Sequence, residues 1–243
     1  MRRFFVPPEN IRDRISIKDK GEIHHLKNVL RLKSGDEVII SDGKGREYRS
    51  RINSTGSEGV VLTVIKEIEA TLPKITICLA CALPKNSKFD FLVEKATEIG
   101  VDRIIPLKTK RTIVELKGDR QEKKIKHWQE IAVNASKQSQ RNTIPELGRV
   151  FNFREAVGET KKYDLALIPC LFGKRKKIED VLMQFEGKSI LVFIGPEGDF
   201  TPEEVSLAVK AGCQPVALGE RVLKVDSAAL YSLSVINFIA RLK

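Results

Sequence analysis

The chain has 243 residues, 42% of them hydrophobic, enough to bury a core in one large domain or two unequal ones and too apolar for intrinsic disorder. A net +6 of its +11 formal charge lies between Lys108 and Arg141, where 10 Lys and Arg face 4 Asp and Glu; a local excess of one sign points to a polyanion rather than to a mixed-sign solvated face. No apolar run approaches the ~20 residues of a membrane-spanning helix, MRRFFVPPEN lacks a secretory signal, and four cysteines are too few for a disulfide scaffold, so a cytoplasmic chain with no membrane partner is expected.

Residues 1–70 alternate short apolar runs with turn signals. DEVIISDGKGREYRSRI predicts strand, Asp-Gly turn and strand, and VVLTVIKEI another strand. Together they suggest a small barrel domain. Between its first pieces, Ile23, Leu26, Val29 and Leu30 recur at helical spacing and predict one short amphipathic helix. TLPK at 71–74 reads as a linker.

From Ile75 the rhythm becomes strand then helix. ITICLA, the helix of KFDFLVEKATEIG, the strand RIIPL and the helix KKIKHWQEIAVNASKQS are followed by DLALIPC, KKIEDVLMQF, SILVFIG, TPEEVSLAVKAG, PVALG and DSAALYSLSVINFIARL. Such alternation predicts, over 71–243, an α/β domain with a parallel sheet. Cys78 and Cys81 form a C-x-x-C, but three residues apart on a strand they face opposite sides, as packed thiols rather than a metal or redox pair. Trp128 sits among Ile125, Ile131 and Ala132 on a helix and is expected to pack in the core.

Two loops carry the chemistry. GPEGDF at 195–200 follows an apolar strand and opens a helix at 202–211, with Thr201 as N-cap, Pro202 in the first turn, Glu204 completing a capping box and Gly212 as terminator. Ligands bind at such strand-to-helix crossings in α/β proteins; otherwise the loop is an ordinary turn whose glycines supply unusual dihedrals. GxGxxG and GxxxxGK[ST] are both absent, which argues against a dinucleotide dehydrogenase and an NTPase. The second loop, LGERVLKVDSAAL at 218–230, leads into an apolar helix capped by Asp226 or Ser227.

The ordered blocks HHLKNVLR, LPKNSKFDFLVEKATEIGV, NASKQSQR, FIGPEGDFTPEE and LGERVLKVDSAAL resemble the ribosomal small-subunit uracil-N3 methyltransferase family, rRNA methyltransferase E, of the knotted α/β SPOUT class. The resemblance runs from Arg2 to the final helix. It implies a PUA-like β-barrel followed by a trefoil-knotted methyltransferase domain that binds S-adenosyl-L-methionine, methylates N3 of a uridine in 16S rRNA of the small ribosomal subunit, needs no metal and works as a homodimer. Three loops would hold the cofactor. The first contributes Ile168, Pro169 and Leu171, the second Gly195, Pro196, Glu197 and Gly198, and the third Leu218, Gly219, Val222 and Leu223 with Ser227 and Ala228 beyond. Backbone groups would read the adenine edge, with Leu218, Val222 and Leu223 as an apolar wall.

Methylating an imide nitrogen requires its proton to leave and negative charge to develop on the ring. Among the residues of these loops, Glu197 and Asp226 are the candidate catalytic carboxylates and Arg221 and Lys224 the cations. Glu197 has a second reading as an anchor for loop amides. RNA contacts would come from Arg2, Arg3, His24, His25 and Arg31, and from Lys85, Gln138 and Arg141; Gln138 and Arg141, three apart near a helix end, would act together. Lys174 to Lys177 read as a solvated run. Dimerisation would use Leu230, Leu233, Ile236 and Ile239 of the last helix, unless these pack within one chain.

This chain departs from the family at 223–228, where LKVDSA replaces LRTETA, and at Asp199, where glycine is common. The first departure motivates an alternative function: an inactive RNA-binding or ribosome-assembly factor with the same fold.

Overall fold

A computed structural model describes residues 2–56, 59–69, 73–85 and 88–242, with only the backbone of His25. The chain forms two compact units, one of residues 1–72 and 136–144 and one of 73–135 and 145–243. Residues 136–144 thus cluster with the first unit although chain order assigns them to the second.

In the first unit, β1 (Arg3–Phe5), β2 (Arg14–Ile17), β3 (Glu37–Ser41), β4 (Glu47–Thr55) and β5 (Val60–Ile68) form a five-stranded sheet in the order β1-β3-β4-β5-β2. The β1–β3 pair is parallel and the other pairs are antiparallel. No ladder joins β1 to β2 among the described residues, so the sheet is a half-barrel. Its core includes Phe4, Ile15, Val38, Ile40, Ile52 and Leu62. The β3–β4 connection is the Asp-Gly turn read from sequence. There Asp42 Oδ1 accepts from the N–H groups of Lys44 (2.7 Å) and Arg46 (3.0 Å), and Gly43 has φ +71°, a conformation glycine adopts freely.

The short helix is α1 (Lys20–His24), which continues through a wider, five-residue-spaced turn at His25–Val29. That widening changes the facing of side chains past His24. Leu26 is buried and Ile23 and Leu30 pack against the core, whereas Val29, expected on the apolar face, is exposed.

In the second unit, β6 (Thr76–Ala82), α2 (Lys88–Ile99), β7 (Arg103–Lys108), α3 (Gly118–Gln138), β8 (Glu146–Leu147), β9 (Phe151–Asn152), α4 (Phe153–Gly158), β10 (Leu165–Pro169), β11 (Lys176–Lys177), α5 (Ile178–Met183), β12 (Ser189–Ile194), α6 (Pro202–Lys210), β13 (Gln214–Ala217) and α7 (Val225–Leu242) follow in order. The sheet runs β11-β13-β10-β12-β6-β7-β8, with β9 also on β7, and its ladders are parallel. Apolar clusters lie on both faces. One holds Cys81 with Leu79, Phe89, Trp128 and Leu233, the other Cys78 with Ala80, Phe193 and Phe200. The two thiols thus face opposite sides, as strand alternation requires.

Trp128 is 3% exposed, with its ring centroid 4.5 Å from that of Phe89. Helix α6 begins with the capping box read from sequence, Thr201 Oγ1 accepting from Glu204 N–H at 3.3 Å and Glu204 Oε2 from Thr201 N–H at 2.9 Å. Helix α7 starts at Val225, so Asp226 and Ser227 lie in its first turn rather than at its cap. By length and composition alone α7 is apolar enough to cross a membrane. Its Leu233, Ile236 and Ile239, however, belong to the core of the second unit. They are therefore the inward face, and the outward apolar residues are Tyr231, Phe238 and Leu242.

Candidate functional site

Strands β10, β12 and β13 are parallel neighbours, so the loops leaving them converge at one edge of the sheet. There they surround a cleft of about 620 Å³. Pro169 and Leu171 come from the first loop, Gly195, Pro196 and Glu197 from the second, and Leu218, Gly219, Arg221, Val222 and Leu223 from the third, with Ala228 of α7 closing the wall. Of the residues named from sequence as cofactor contacts, Ile168, Gly198 and Ser227 do not line it. Ile168 is fully buried in the core beneath, the Gly198 carbonyl accepts from Arg111, and Ser227 is exposed on α7. Cys170, Arg175 and Asp199 line the cleft in addition.

The unusual dihedrals expected of the two loop glycines are absent. Neither Gly195 nor Gly198 has a positive φ. A Cβ on Gly195 would lie 3.2 Å from the Phe200 ring and from its backbone nitrogen, and one on Gly198 would lie 3.3 Å from Arg111 Cδ. Asp199 is the loop residue in the left-handed region, at φ +60°. That is where a glycine is free and Asp is tolerated.

A second cleft of about 670 Å³ adjoins the first and shares Glu197 and Val225 with it. Lys224 and Asp226 line this second cleft together with Pro84, Lys88 and Leu92. Two carboxylates and two ammonium groups thus surround one opening. The four candidate catalytic residues therefore divide: Arg221 faces the first cleft, Lys224 and Asp226 the second, and Glu197 both. Glu197 Oε1 accepts from the Lys85 N–H at 3.2 Å, while no described hydrogen bond engages the side chain of Lys224 or Asp226. Lys88 escaped the sequence reading, although it stands in the LPKNSK block beside Lys85. The nearby thiols are held toward the protonated form. Burial raises the pKa of Cys81, and the Glu197 and Asp226 charges add to it; burial also raises that of Cys170.

The residues named for RNA contact scatter. Lys85 is exposed in the second unit. In the first, Arg2, His24, Arg31 and Gln138 are exposed, His24 Nδ1 lying 2.8 Å from Asn28 Nδ2; the His25 side chain is outside the described residues. Arg3 is engaged, its Nε 2.5 Å from Glu47 Oε1 and its Nη1 on the Gln140 carbonyl. Gln138 and Arg141 are not helical neighbours. Helix α3 ends at Gln138 and Gln140 turns the chain at φ +58°, after which Arg141 Nη2 donates to Thr143 Oγ1 at 3.0 Å.

Residues 71–237 match the family model of an RNA methyltransferase domain, and residues 17–65 that of an RNA methyltransferase PUA domain. The chain belongs to the RNA methyltransferase family. Within that family it is 31% identical to the ribosomal RNA small subunit methyltransferase E of Synechocystis sp., over 97% of this chain and 77% of that one. With the Bacillus subtilis protein of the same name it shares 29% over 98% and 96%. Among solved structures, a ribosomal RNA small subunit methyltransferase E from Neisseria gonorrhoeae bound to S-adenosyl methionine superposes with a TM-score of 0.86 at 29% identity, covering 98% of this chain and 97% of that one. A Legionella pneumophila methyltransferase with bound SAM gives 0.83 at 30%, covering 96% of each. The methyltransferase domain accordingly contains both clefts, and the PUA-type match lies within the half-barrel unit.

Proposed function

We propose that this chain methylates N3 of a uridine in the 16S rRNA of the small ribosomal subunit, using S-adenosyl-L-methionine. The observation that carries the reading is the first cleft itself, three loops at the carboxyl edge of a parallel sheet, in a chain of the RNA methyltransferase family. The cleft suits this cofactor. Leu171, Leu218, Val222 and Leu223 offer apolar surface, and Glu197 and Arg221 offer polar anchors. Gly219, at φ +113° with nothing within 4 Å of an added Cβ, lets the backbone border the opening.

In this reading the bound cofactor supplies an electrophilic methyl group, and the chain's residues supply position and charge. The target uracil occupies the second cleft. Asp226 takes the N3 proton and Lys224 faces the charge that then spreads over the ring; the N3 lone pair would be the nucleophile for the cofactor's methyl group, the methyl–sulfur bond breaking to leave a neutral thioether. Glu197 serves mainly as an anchor, holding the Lys85 amide and forming the wall common to both clefts. Arg2, Arg31, Lys85 and Gln138 contact phosphates, which position without reading sequence. Trefoil threading of the cleft loops, homodimerisation and a cytoplasmic location complete the proposal.

Two measurements test it. The methylated-nucleoside profile of 16S rRNA from cells lacking the protein should lose N3-methyluridine and regain it on complementation; an unchanged profile rejects the activity. Titration with S-adenosylmethionine separates enzyme from inactive assembly factor, since the latter predicts no binding.

A further inference from the structure

The cofactor cleft requires that its first two loops keep a fixed spacing, yet the sheet does not extend far enough to hold them. The β10–β12 register runs Leu165↔Ile190, Ala166↔Leu191 and Leu167↔Val192, and Pro169 has no N–H to offer further on. Past that point one side chain bridges the loops. Oδ2 of Asp199 accepts from the Leu171 N–H at 2.8 Å, while Oδ1 accepts from the Phe200 N–H at 2.8 Å.

The Asp199 backbone is itself constrained. Its N–H donates to the Pro196 carbonyl at 2.9 Å, closing a tight turn over Glu197 and Gly198, and its φ is +60°. A non-glycine residue there carries a strain that glycine would avoid. The carboxylate offsets it with two hydrogen bonds to a charged acceptor, stronger than neutral ones. The bridged residue matters as well: Leu171 lines the cleft and its side chain is 51% exposed, beyond the Cys170 N–H that still bonds the Val216 carbonyl of β13 at 3.3 Å. On its other side, Arg175 Nη1 donates to the Cys170 carbonyl at 2.8 Å. Side chains thus satisfy both backbone groups of this loop that a longer strand would have paired.

We infer that Asp199 is a positioning residue that latches the 169–171 loop to the 195–199 loop and so presets the cofactor cleft. The latch acts on cofactor binding rather than on methyl transfer. This rests on the proposed cofactor only for its binding consequence, because the latch itself exists in the free protein.

The decisive variant is Asp199→Gly, which keeps the left-handed backbone without strain and removes only the carboxylate. Two readouts are expected. In the free protein, amide hydrogen exchange at Leu171 should accelerate by roughly tenfold or more, the loss of one charge-assisted hydrogen bond. S-adenosylmethionine affinity by calorimetry should fall by a similar factor, with kcat at saturating cofactor within about twofold of wild type. Asp199→Asn, whose amide oxygen can still accept from Leu171, should lie between the two. Unchanged Leu171 exchange overturns the latch, as does wild-type affinity in Asp199→Gly, or a loss confined to kcat. If the wild-type chain binds no S-adenosylmethionine, the proposed function fails, while the exchange measurement still decides the latch.

Discussion

The Lys85 backbone N–H donates to Oε1 of Glu197 at 3.2 Å, joining the turn before α2 to the wall shared by both clefts. An acceptor needed for an amide can be replaced by an amide oxygen. Glu197→Gln should therefore keep activity within a few-fold, and Glu197→Ala should lower it through cofactor affinity. Asp226→Asn should instead reduce kcat by ~100-fold or more, the usual range for a lost proton acceptor. Steady-state kinetics of the three variants decide the assignment, and the reverse order would make Glu197 the base.

Replacing Gly195 is expected to fail by crowding. With Phe200 at 3.2 Å from an added Cβ, and Phe200 fully buried against Phe153 at a ring separation of 5.2 Å, neither side yields easily. Gly195→Val should lower the melting temperature, at a cost of about 1–3 kcal/mol, and abolish cofactor binding. Adding Phe200→Leu should restore part of the stability. Scanning calorimetry and titration of both variants test this; a stable single mutant with full affinity would place the loop outside the cofactor site.

What the sequence disclosed was local. The α6 capping box, the Asp42-Gly43 turn, the strand-to-helix rhythm and the loops at 195 and 218 each depend on residues a few positions apart. Two contacts that escaped it involve distance. Asp199 clamps Leu171, 28 positions away, and Arg3 is neutralised by Glu47, 44 away; neither partner is visible from its neighbours. Val29 misled because helical spacing assumes an uninterrupted α-helix, and the chain widens at His25. Helix α4 escaped notice although its Asn152–Glu155 capping box is as local as that of α6. At Gly195 the expected unusual dihedral is absent, and the obstruction to a side chain is a ring five residues on.

Asp90 ties α2 to α3. Its Oδ1 accepts from Trp128 Nε1 at 2.8 Å and its Oδ2 lies 3.0 Å from His127 Nε2. Burial opposes ionisation of the carboxyl, but the His127 and Trp128 partners with the Lys124 charge outweigh it and hold the pKa below its ordinary value. A depressed folded pKa stabilises the fold fully above the unfolded carboxyl's pKa and loses that contribution as pH falls through the folded value. Asp90→Asn should thus cost about 1–2 kcal/mol at neutral pH, and less once pH drops below the carboxylate range. Urea denaturation at several pH values measures this, and a pH-independent difference would refute the ionic contribution.

Arg2 and Arg3 are adjacent yet should behave oppositely. Arg2 is exposed, so Arg2→Ala should weaken RNA binding and reduce the slope of log affinity against log salt by ~0.7–0.9, one phosphate contact. Arg3 is spent on the nearly buried Glu47. Arg3→Ala should destabilise the protein by ~3 kcal/mol, because a buried carboxylate loses its partner. Filter binding across a salt series and thermal denaturation separate the two; a salt slope lowered only by Arg3→Ala would invert the assignment.

Lys224 opens α7, its carbonyl accepting from the Ala228 N–H at 2.8 Å, and its side chain lines the second cleft with Asp226, Glu197 and Lys88. A cation at a helix start works against the helix dipole. In the proposed reaction its charge would instead answer the negative charge that develops when uracil loses its N3 proton. An interaction that strengthens only as that charge forms raises turnover without tightening ground-state binding. Lys224→Met should accordingly depress the single-turnover rate at saturating RNA and cofactor by ~100-fold, with S-adenosylmethionine affinity nearly intact because the first cleft is lined by other residues. Lys224→Arg should retain most of the rate, since it preserves the charge. Lys88, which lines the same cleft from the start of α2, provides the internal comparison: Lys88→Met should raise the RNA Michaelis constant and leave the chemical rate within a few-fold. A normal single-turnover rate in Lys224→Met, with only a raised Michaelis constant for RNA, would move Lys224 from catalysis to phosphate binding.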